Sequence, residues 1–467
     1  MGALNKSRAT DFPGWYEELL RKAELSENGP VRGTMVIRPY AYGVWENIQR
    51  ALDERIRAAG AENAYFPLFI PMSYFAREAE HVEGFAPELA VVTHGGGKEL
   101  DEPIVVRPTS ETIIGEFMRK WIESYRDLPL LLNQWANVVR WEKRPRAFLR
   151  TTEFLWQEGH TAHRTQEDAA AYAARILVDV YQDFMTKELA VDVLPGRKPS
   201  SERFAGATNS LTVEAMMGNG KALQLGTSHE LGQNFSRSLG ITFSDEDGAE
   251  HHAWTTSWGA STRLMGGLIM VHGDDAGLQV PPRLAPIQVI VIPTSGGTEV
   301  LSRADDLAAE LARGGIRAKV DRRTEKGLGR RITDWELKGV PIRVQVGPRE
   351  LAEATVSVAR RDTVERMSLS ADGLTAALVS LLAEIQGGLL ARSRTLREAN
   401  THDVSTVDEA IEAAATGWAR MPWGKVAPEE DALKEQAITV RCLVNPDGSV
   451  PTDDEEADSI AVIGRSY

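Results

Sequence analysis

At 467 residues the chain exceeds what one hydrophobic core organises and implies two or three domains. Its 42% hydrophobic content excludes disorder, and a formal charge of −14 excludes a protein that coats nucleic acid indiscriminately, though not one with a local basic face. The single cysteine, Cys442, allows no internal disulfide and fits a reducing cytoplasm.

The start, MGALNKSRATDF, holds no apolar segment of signal-peptide length, and Lys6 stands where a myristoylation site needs a hydroxyl. The longest apolar run, Leu264 to Val271, is short of the roughly 20 residues of a membrane span, so a soluble intracellular protein is expected. Phe12 to Ala23 reads as a short helix, followed by a Gly29-Pro30 break and a strand through Met35 to Arg38. A stronger helix is expected from about Tyr42 to Ala59, where Val44, Ile48, Leu52 and Ile56 recur every fourth residue and Gly60 caps the end. Ala64 to Ile70 reads as a strand whose Pro67 removes a ladder donor, which marks an edge. Gly95-Gly96-Gly97 lacks the pattern of a phosphate loop and reads as a turn. A helix then opens at Thr109-Ser110-Glu111 and runs to about Tyr125, with Thr109 or Ser110 able to cap it and Glu111 well placed for the dipole.

Asn137 to His163, NVVRWEKRPRAFLRTTEFLWQEGHTAH, reads as a two-strand hairpin with a basic, proline-bearing turn. Alternation puts Arg140 and Glu142 on one side of the first arm, and Glu158 and His160 on one side of the second. A guanidinium that forks onto phosphate beside a carboxylate that accepts from an amine suits a nucleotide. A surface ion pair worth about 0–1 kcal/mol accounts for the same spacing.

Thr165 and Asp168 have capping-box spacing for a helix to about Ala190, and Val191 to Pro195 reads as a strand. Lys221 to His229 reads as a strand running into a turn. Trp254 to Val271 reads as a strand, a tight turn at Gly259 and an apolar helix with Arg263 in its first turn. A lone arginine there needs an anionic partner, and a helix N-terminus suits phosphate. Pro281 to Pro286 marks a domain boundary. Beyond it, strands Val289 to Ile292, Ile316 to Val320, Val340 to Val346 and Thr355 to Arg360 alternate with helices Glu299 to Arg313, Arg330 to Lys338 and a final long one, giving a small α/β domain with a mixed sheet. Arg322, Arg323, Lys326, Arg330, Arg331, Lys338, Arg343, Arg360 and Arg361 cluster there and favour a local RNA site. Asp453 to Glu456 reads as a solvated acidic loop. Glu158, His160, His163 and His251-His252 invite a zinc reading, but no cysteine lies near and no helix carries H-E-x-x-H, so no metal site is expected.

The string RWE…FLRTTEFLWQEGHTA resembles motif 2 of the class II aminoacyl-tRNA synthetases and, within that class, the prolyl-tRNA synthetases in their archaeal and eukaryotic-like short form; the likeness spans roughly residues 10 to 400. It implies an α/β (α+β) fold: a class II antiparallel-sheet catalytic domain over 1–283, an α/β anticodon-binding domain with a mixed sheet over 284–400, and a small C-terminal α+β domain over 401–467. By the resemblance, Thr109 and Glu111 hold the secondary ammonium of L-proline, and Arg140, Trp156, His160 and His229 complete its pocket. Arg140, Glu142, Arg150, Thr151, Gln224, Thr227, Ser261 and Arg263 contact ATP, and Arg140 and Arg263 are the catalytic pair that neutralises phosphate charge. Ser261 and Arg263 stand at motif 3 positions, with Thr262 where the general motif has an acid. ATP enters with Mg²⁺, held in part by Glu142. Glu336 and Arg343 would read guanine edges in the anticodon of tRNA(Pro). The proline-bearing strand resembles motif 1 and implies a homodimer, with no membrane partner. About 100 residues between motifs 2 and 3 leave no room for an editing domain. Relatives often carry a four-cysteine zinc module at the C-terminus; with Cys442 alone, no structural zinc is expected, and the final Tyr467 implies a docked end. A synthetase paralogue for another amino acid and a non-catalytic RNA-binding paralogue remain alternatives, and the presence of both arginines speaks against the second.

Overall fold

Apolar residues at every second position, as in Leu211, Val213 and Ala215, specify strands with one face against a core. In the computed structural model, which describes residues 4–76, 89–452 and 455–467, they belong to an eleven-stranded sheet. Its order is Thr401–Asp403, Trp418–Pro422, Ile460–Gly464, Thr439–Val444, Val193–Arg197, Asn209–Met216, Ala222–Gly232, Trp254–Ser261, Glu153–His163, Leu130–Val139 and Glu62–Asn63. Neighbours are antiparallel except at the two ends, where Thr401–Asp403 and Glu62–Asn63 each run parallel to the next strand. The C-terminal strands thus extend the same sheet, through the single residue pair Leu443 and Arg197.

The helical stretch 166–187 covers one face. It includes a π-helical segment, Ile176–Gln182, that periodicity alone does not reveal. Its Tyr181 hydroxyl donates to Gln157 Oε1 at 2.8 Å, and the same ring meets Trp258 edge-on. Trp258 in turn lies where a side chain at Gly159 would project, a Cβ there falling 2.1 Å from the indole. Glycine inside that strand is therefore required by a close approach, not by a turn.

A second sheet orders Ala318–Val320, Val289–Pro293, Ile342–Val346, Thr355–Arg360 and Arg366–Ser370, the first three parallel and the rest antiparallel. The strand Arg366–Ser370 and the short helix Pro348–Ala352 are absent from the sequence reading. The helix Leu374–Ala399 is long and apolar enough to cross a membrane, although Glu384 and Gln386 break its apolar run. Its Leu378, Leu382, Ile385 and Leu389 are buried with Val289 and Val344 in this unit's core.

Several boundaries differ from expectation. Ala64 to Ile70 is not one strand: Glu62–Asn63 edges the large sheet, while Phe69–Pro71 pairs with Lys98–Val106 elsewhere. Pro67 lies in the break between them, as a residue without a ladder donor should. Ala222–Gly232 continues as strand past the expected turn, and Trp254–Ser261 runs straight through Gly259. The hairpin's first arm begins at Leu130 and ends at Val139, so Arg140 and Glu142 stand just beyond it. Of the acidic loop, Asp453 and Asp454 lie outside the described residues, and Glu456 is not simply solvated, since it pairs with Arg203 at 2.8 Å. Tyr467 packs against the main core, its N–H donating to the Ala222 carbonyl at 3.2 Å.

Candidate active site

Strand register assembles the site. One row across the large sheet runs Ser210, His229, Ser257, His160, each the Cα partner of the next. A neighbouring row brings Thr227, Gly259 and Glu158 together. Above these rows lies a cavity of about 410 Å³. Its lining includes Thr109, Glu111, Arg140, Glu142, Arg150, Thr151, Trp156, His160, Gln224, Thr227, His229, Ser261 and Arg263, which are all the residues that the sequence and its resemblance nominated outside the anticodon pair. Glu158, Lys198, Glu202, Phe204 and Ser257 also line it and were not nominated. Only register and a distant loop bring them in, although Glu158's shared face with His160 was a signal.

At one end the cavity is rich in acceptors. Buried Glu158 accepts from Ser110 Oγ at 2.5 Å, Ser110 N at 3.0 Å and Gln134 Nε2 at 3.1 Å, and its Oε2 lies 3.2 Å from His160 Nε2. Ser110 therefore spends its hydroxyl on Glu158, not on capping the helix Glu111–Trp121 as expected. Burial pushes the Glu158 carboxyl up, but the bonds from His160, Ser110 and Gln134 prevail and hold it below its ordinary value. Burial pushes His160 down, while Glu158 and Glu111 outweigh it and raise its pKa. His229 differs: burial lowers it to about 4, so it is a neutral ring, stacked on Phe204 and within 2.9 Å of Ser210 Oγ. Thr109 donates to the Glu111 carboxylate.

Glu111, Glu158 and His160 bring ligand-type atoms within 4.8 Å of one another, closer than the sequence reading of these residues allowed. Glu158 already has four partners, so the cluster fits a ligand that brings donors of its own better than a bare metal ion.

The other end is cationic. Arg263 opens the helix Arg263–His272; its Nε donates to the Leu149 carbonyl at 3.2 Å and its Nη1 to the Gln224 carbonyl at 3.4 Å. Burial, then Arg150 and Arg140, pushes its guanidinium down to about 10. Three guanidiniums gathered this way store repulsion that an anion would relieve. Arg140 donates to the Pro108 carbonyl at 2.9 Å and lies over the Trp156 ring at 5.2 Å, between the two ends. Glu142 faces Arg150 at 3.4 Å. Trp156 Nε1, Ser257 Oγ and Thr262 Oγ1 are buried without a hydrogen-bond partner among the described residues, as donors awaiting a ligand would be.

Glu336 and Arg343 do not line this cavity and belong to the second unit. They form an ion pair at 2.7 Å beside a small recess that Trp335, Arg360 and Arg361 also line. The expected basic face is largely neutralised. Arg322 pairs with Asp305, Arg323 with Asp321 and Asp334, Arg330 with Asp334, Lys338 with Glu24, Arg360 with Asp362, and Arg361 with Asp274. Buried Arg331 donates to the Pro293 carbonyl at 2.8 Å. The clustering in sequence therefore reflects ion pairing as much as any exposed charge.

Comparison with known proteins agrees with this division. The family model "tRNA synthetase class II core domain (G, H, P, S and T)" matches residues 92–272, and "Anticodon binding domain" matches residues 288–381. The chain is 61% identical, over all of both lengths, to the proline–tRNA ligase of Frankia casuarinae. It is 58% identical to proline–tRNA ligase 2 of Streptomyces avermitilis and 50% to the proline–tRNA ligase of Chloroflexus aggregans, each over 98% of both chains. A cavity with acceptors at one end and cations at the other, on a sheet matched end to end by such relatives, leaves one assignment: the chain belongs to the proline–tRNA ligase family of class II aminoacyl-tRNA synthetases.

Proposed function

We propose that the cavity is where L-proline and ATP react to prolyl-adenylate, before transfer of the prolyl group to tRNA(Pro). The observation that carries this is the convergence of Arg140 and Arg263 on one cavity, beside the Thr109, Glu111, Glu158 and His160 cluster. The secondary ammonium of proline has two N–H donors, and Thr109 with Glu111 supplies the oxygens to accept them. Trp156 walls the ring, with His160 and neutral His229 on the floor. The proline carboxylate attacks the α-phosphorus of ATP, the bond to the β-phosphate oxygen breaks, and pyrophosphate leaves. Arg140 stabilises charge on the α-phosphate and Arg263 on the outer phosphates. Glu142, Arg150, Thr151, Gln224, Thr227 and Ser261 orient the nucleotide. No side-chain nucleophile takes part; positioning and fixed charge supply the acceleration. Magnesium enters with ATP, and Glu142, an oxygen donor on the cavity wall, is suited to it while the phosphates supply further ligands.

The domain limits we adopt are 1–283 for catalysis, 284–400 for anticodon binding and 401–467 for a C-terminal domain without structural zinc. Glu336 and Arg343 read the anticodon, exchanging their mutual ion pair for guanine edges. The chain works in the cytoplasm, away from membranes, as a homodimer joined near Tyr65, Phe69 and Trp121, large apolar side chains that stand exposed.

Proline-dependent exchange of pyrophosphate into ATP, run against a panel of amino acids, tests the central reading. Exchange is expected with proline; exchange supported only by another amino acid would refute it.

A further inference from the structure

Glu214 has no role in the chemistry above, yet it is completely buried in the middle of Asn209–Met216. Its Oε2 accepts from Arg441 Nε at 3.2 Å and Nη2 at 3.0 Å. Its Oε1 accepts from Lys198 Nζ at 3.1 Å and Thr212 Oγ1 at 3.0 Å. The same Lys198 ammonium donates to the Arg441 carbonyl at 2.6 Å. Thr212 Oγ1 accepts in turn from Gln224 Nε2 at 3.0 Å, and the Gln224 carbonyl receives Arg263. Lys198 and Gln224 both line the reaction cavity, whereas Arg441 comes from Thr439–Val444, more than two hundred residues further along.

Stability alone does not explain the arrangement. Burying ions costs about as much as pairing them returns, and apolar replacements of similar volume are often neutral or better. What the ions do provide is direction, because every bond from the carboxylate ends on a fixed donor, of which Lys198 lines the cavity and Thr212 is tied to Gln224, which also lines it. We propose that Arg441 is a positioning residue for adenylate formation: through Glu214 it sets Lys198 and the Thr212–Gln224 pair where they meet the nucleotide, so that the C-terminal segment completes the catalytic site.

The proposal rests on reading the cavity as the adenylation site, and exchange by the unaltered protein checks that reading separately. The test uses the full chain. Michaelis constants for ATP and for proline, and kcat, are measured in pyrophosphate exchange for Arg441→Gln, Arg441→Lys, Thr212→Val and the double variant Arg441→Gln with Thr212→Val. Arg441→Gln is expected to raise the KM for ATP about tenfold, the scale of one charge-assisted hydrogen bond, while the KM for proline stays within about twofold. Thr212→Val, which leaves every charge in place, should reproduce the direction of that effect. The double variant should be no worse than the worse single one, because both cut the same chain of bonds. Arg441→Lys should recover part of the loss. Unchanged ATP kinetics in Arg441→Gln, equal damage to ATP and proline, or additive effects in the double variant would each overturn the proposal. Should Arg441→Gln fail to fold, Thr212→Val decides alone, and wild-type ATP kinetics in that variant would overturn it.

Discussion

Arg263 shows how much of a site one residue can declare. An arginine in the first turn of a helix otherwise made of Leu264, Met265, Leu268 and Ile269 has no place in an apolar core, so its sequence setting already demanded an anion. Replacing it by glutamine should cost about 10²–10³ in kcat for exchange, the usual effect of deleting one preorganised donor. Arg140→Ala should abolish proline-dependent exchange yet leave binding of tRNA(Pro), read by filter retention, largely intact; normal exchange in this variant would refute its role. Glu158, Phe204 and Ser257 were not legible in the same way. A serine or phenylalanine carries no anomaly of its own, and its function arises only when strand register places Ser257 and the loop before Asn209–Met216 places Phe204. The His160–Glu158 pair adds a titration. The folded pKa of His160 lies above its ordinary 6.5, so its contribution to stability is full below 6.5 and fades as pH rises through the folded value. For Glu158, held below 4.5, the contribution is present above 4.5 and fades as pH falls through the folded value. In urea unfolding, the stability gap between wild type and His160→Gln should therefore narrow as pH is raised above 6.5; a constant gap would count against the pair.

Among the elements, helices with four-residue apolar spacing were read to within a few positions, as Pro39–Ala58 and Thr298–Arg313 illustrate. Strands containing glycine were read less well. Gly259 suggested a turn because glycine is the ordinary turn residue, yet it lies within a strand, where a Cβ would meet the Gln157 carbonyl oxygen at 3.2 Å. The π-helical segment was invisible, since it changes the hydrogen-bond pattern and not the kind of residue required. The order of eleven strands was likewise beyond a single sequence, because the pairing of Thr439–Val444 with Val193–Arg197 leaves no local trace. Gly159→Ala should destabilise the sheet by about 1–3 kcal/mol or more, because the methyl and the Trp258 indole cannot share the same space. A variant with an unaltered urea midpoint would contradict that packing.

For the molecule as a whole, buried histidines set the acid limit. His163, His229 and His272 are each lowered by burial to about 4 from 6.5, so the unfolded chain binds protons that the folded one refuses. Stability should fall as pH drops from 6.5 towards 4, opposite in sign to the His160 effect. A urea midpoint that is flat across this interval would disprove it. If the chain dimerises as proposed, Tyr65→Asp should shift the sedimentation coefficient from dimer to monomer, by placing a charge on an exposed apolar surface; an unchanged coefficient would count against that interface. Finally, the seam where Leu443 meets Arg197 bears on any attempt to shorten the chain. Cutting after Asn400 would strip four strands from the large sheet, remove the one pairing that covers the edge of Val193–Arg197 and leave the Glu214 anion with Lys198 but without Arg441. Such a fragment should precipitate on expression instead of yielding a smaller enzyme, which makes the last sixty-seven residues a continuation of the sheet that carries the cavity and not a tail.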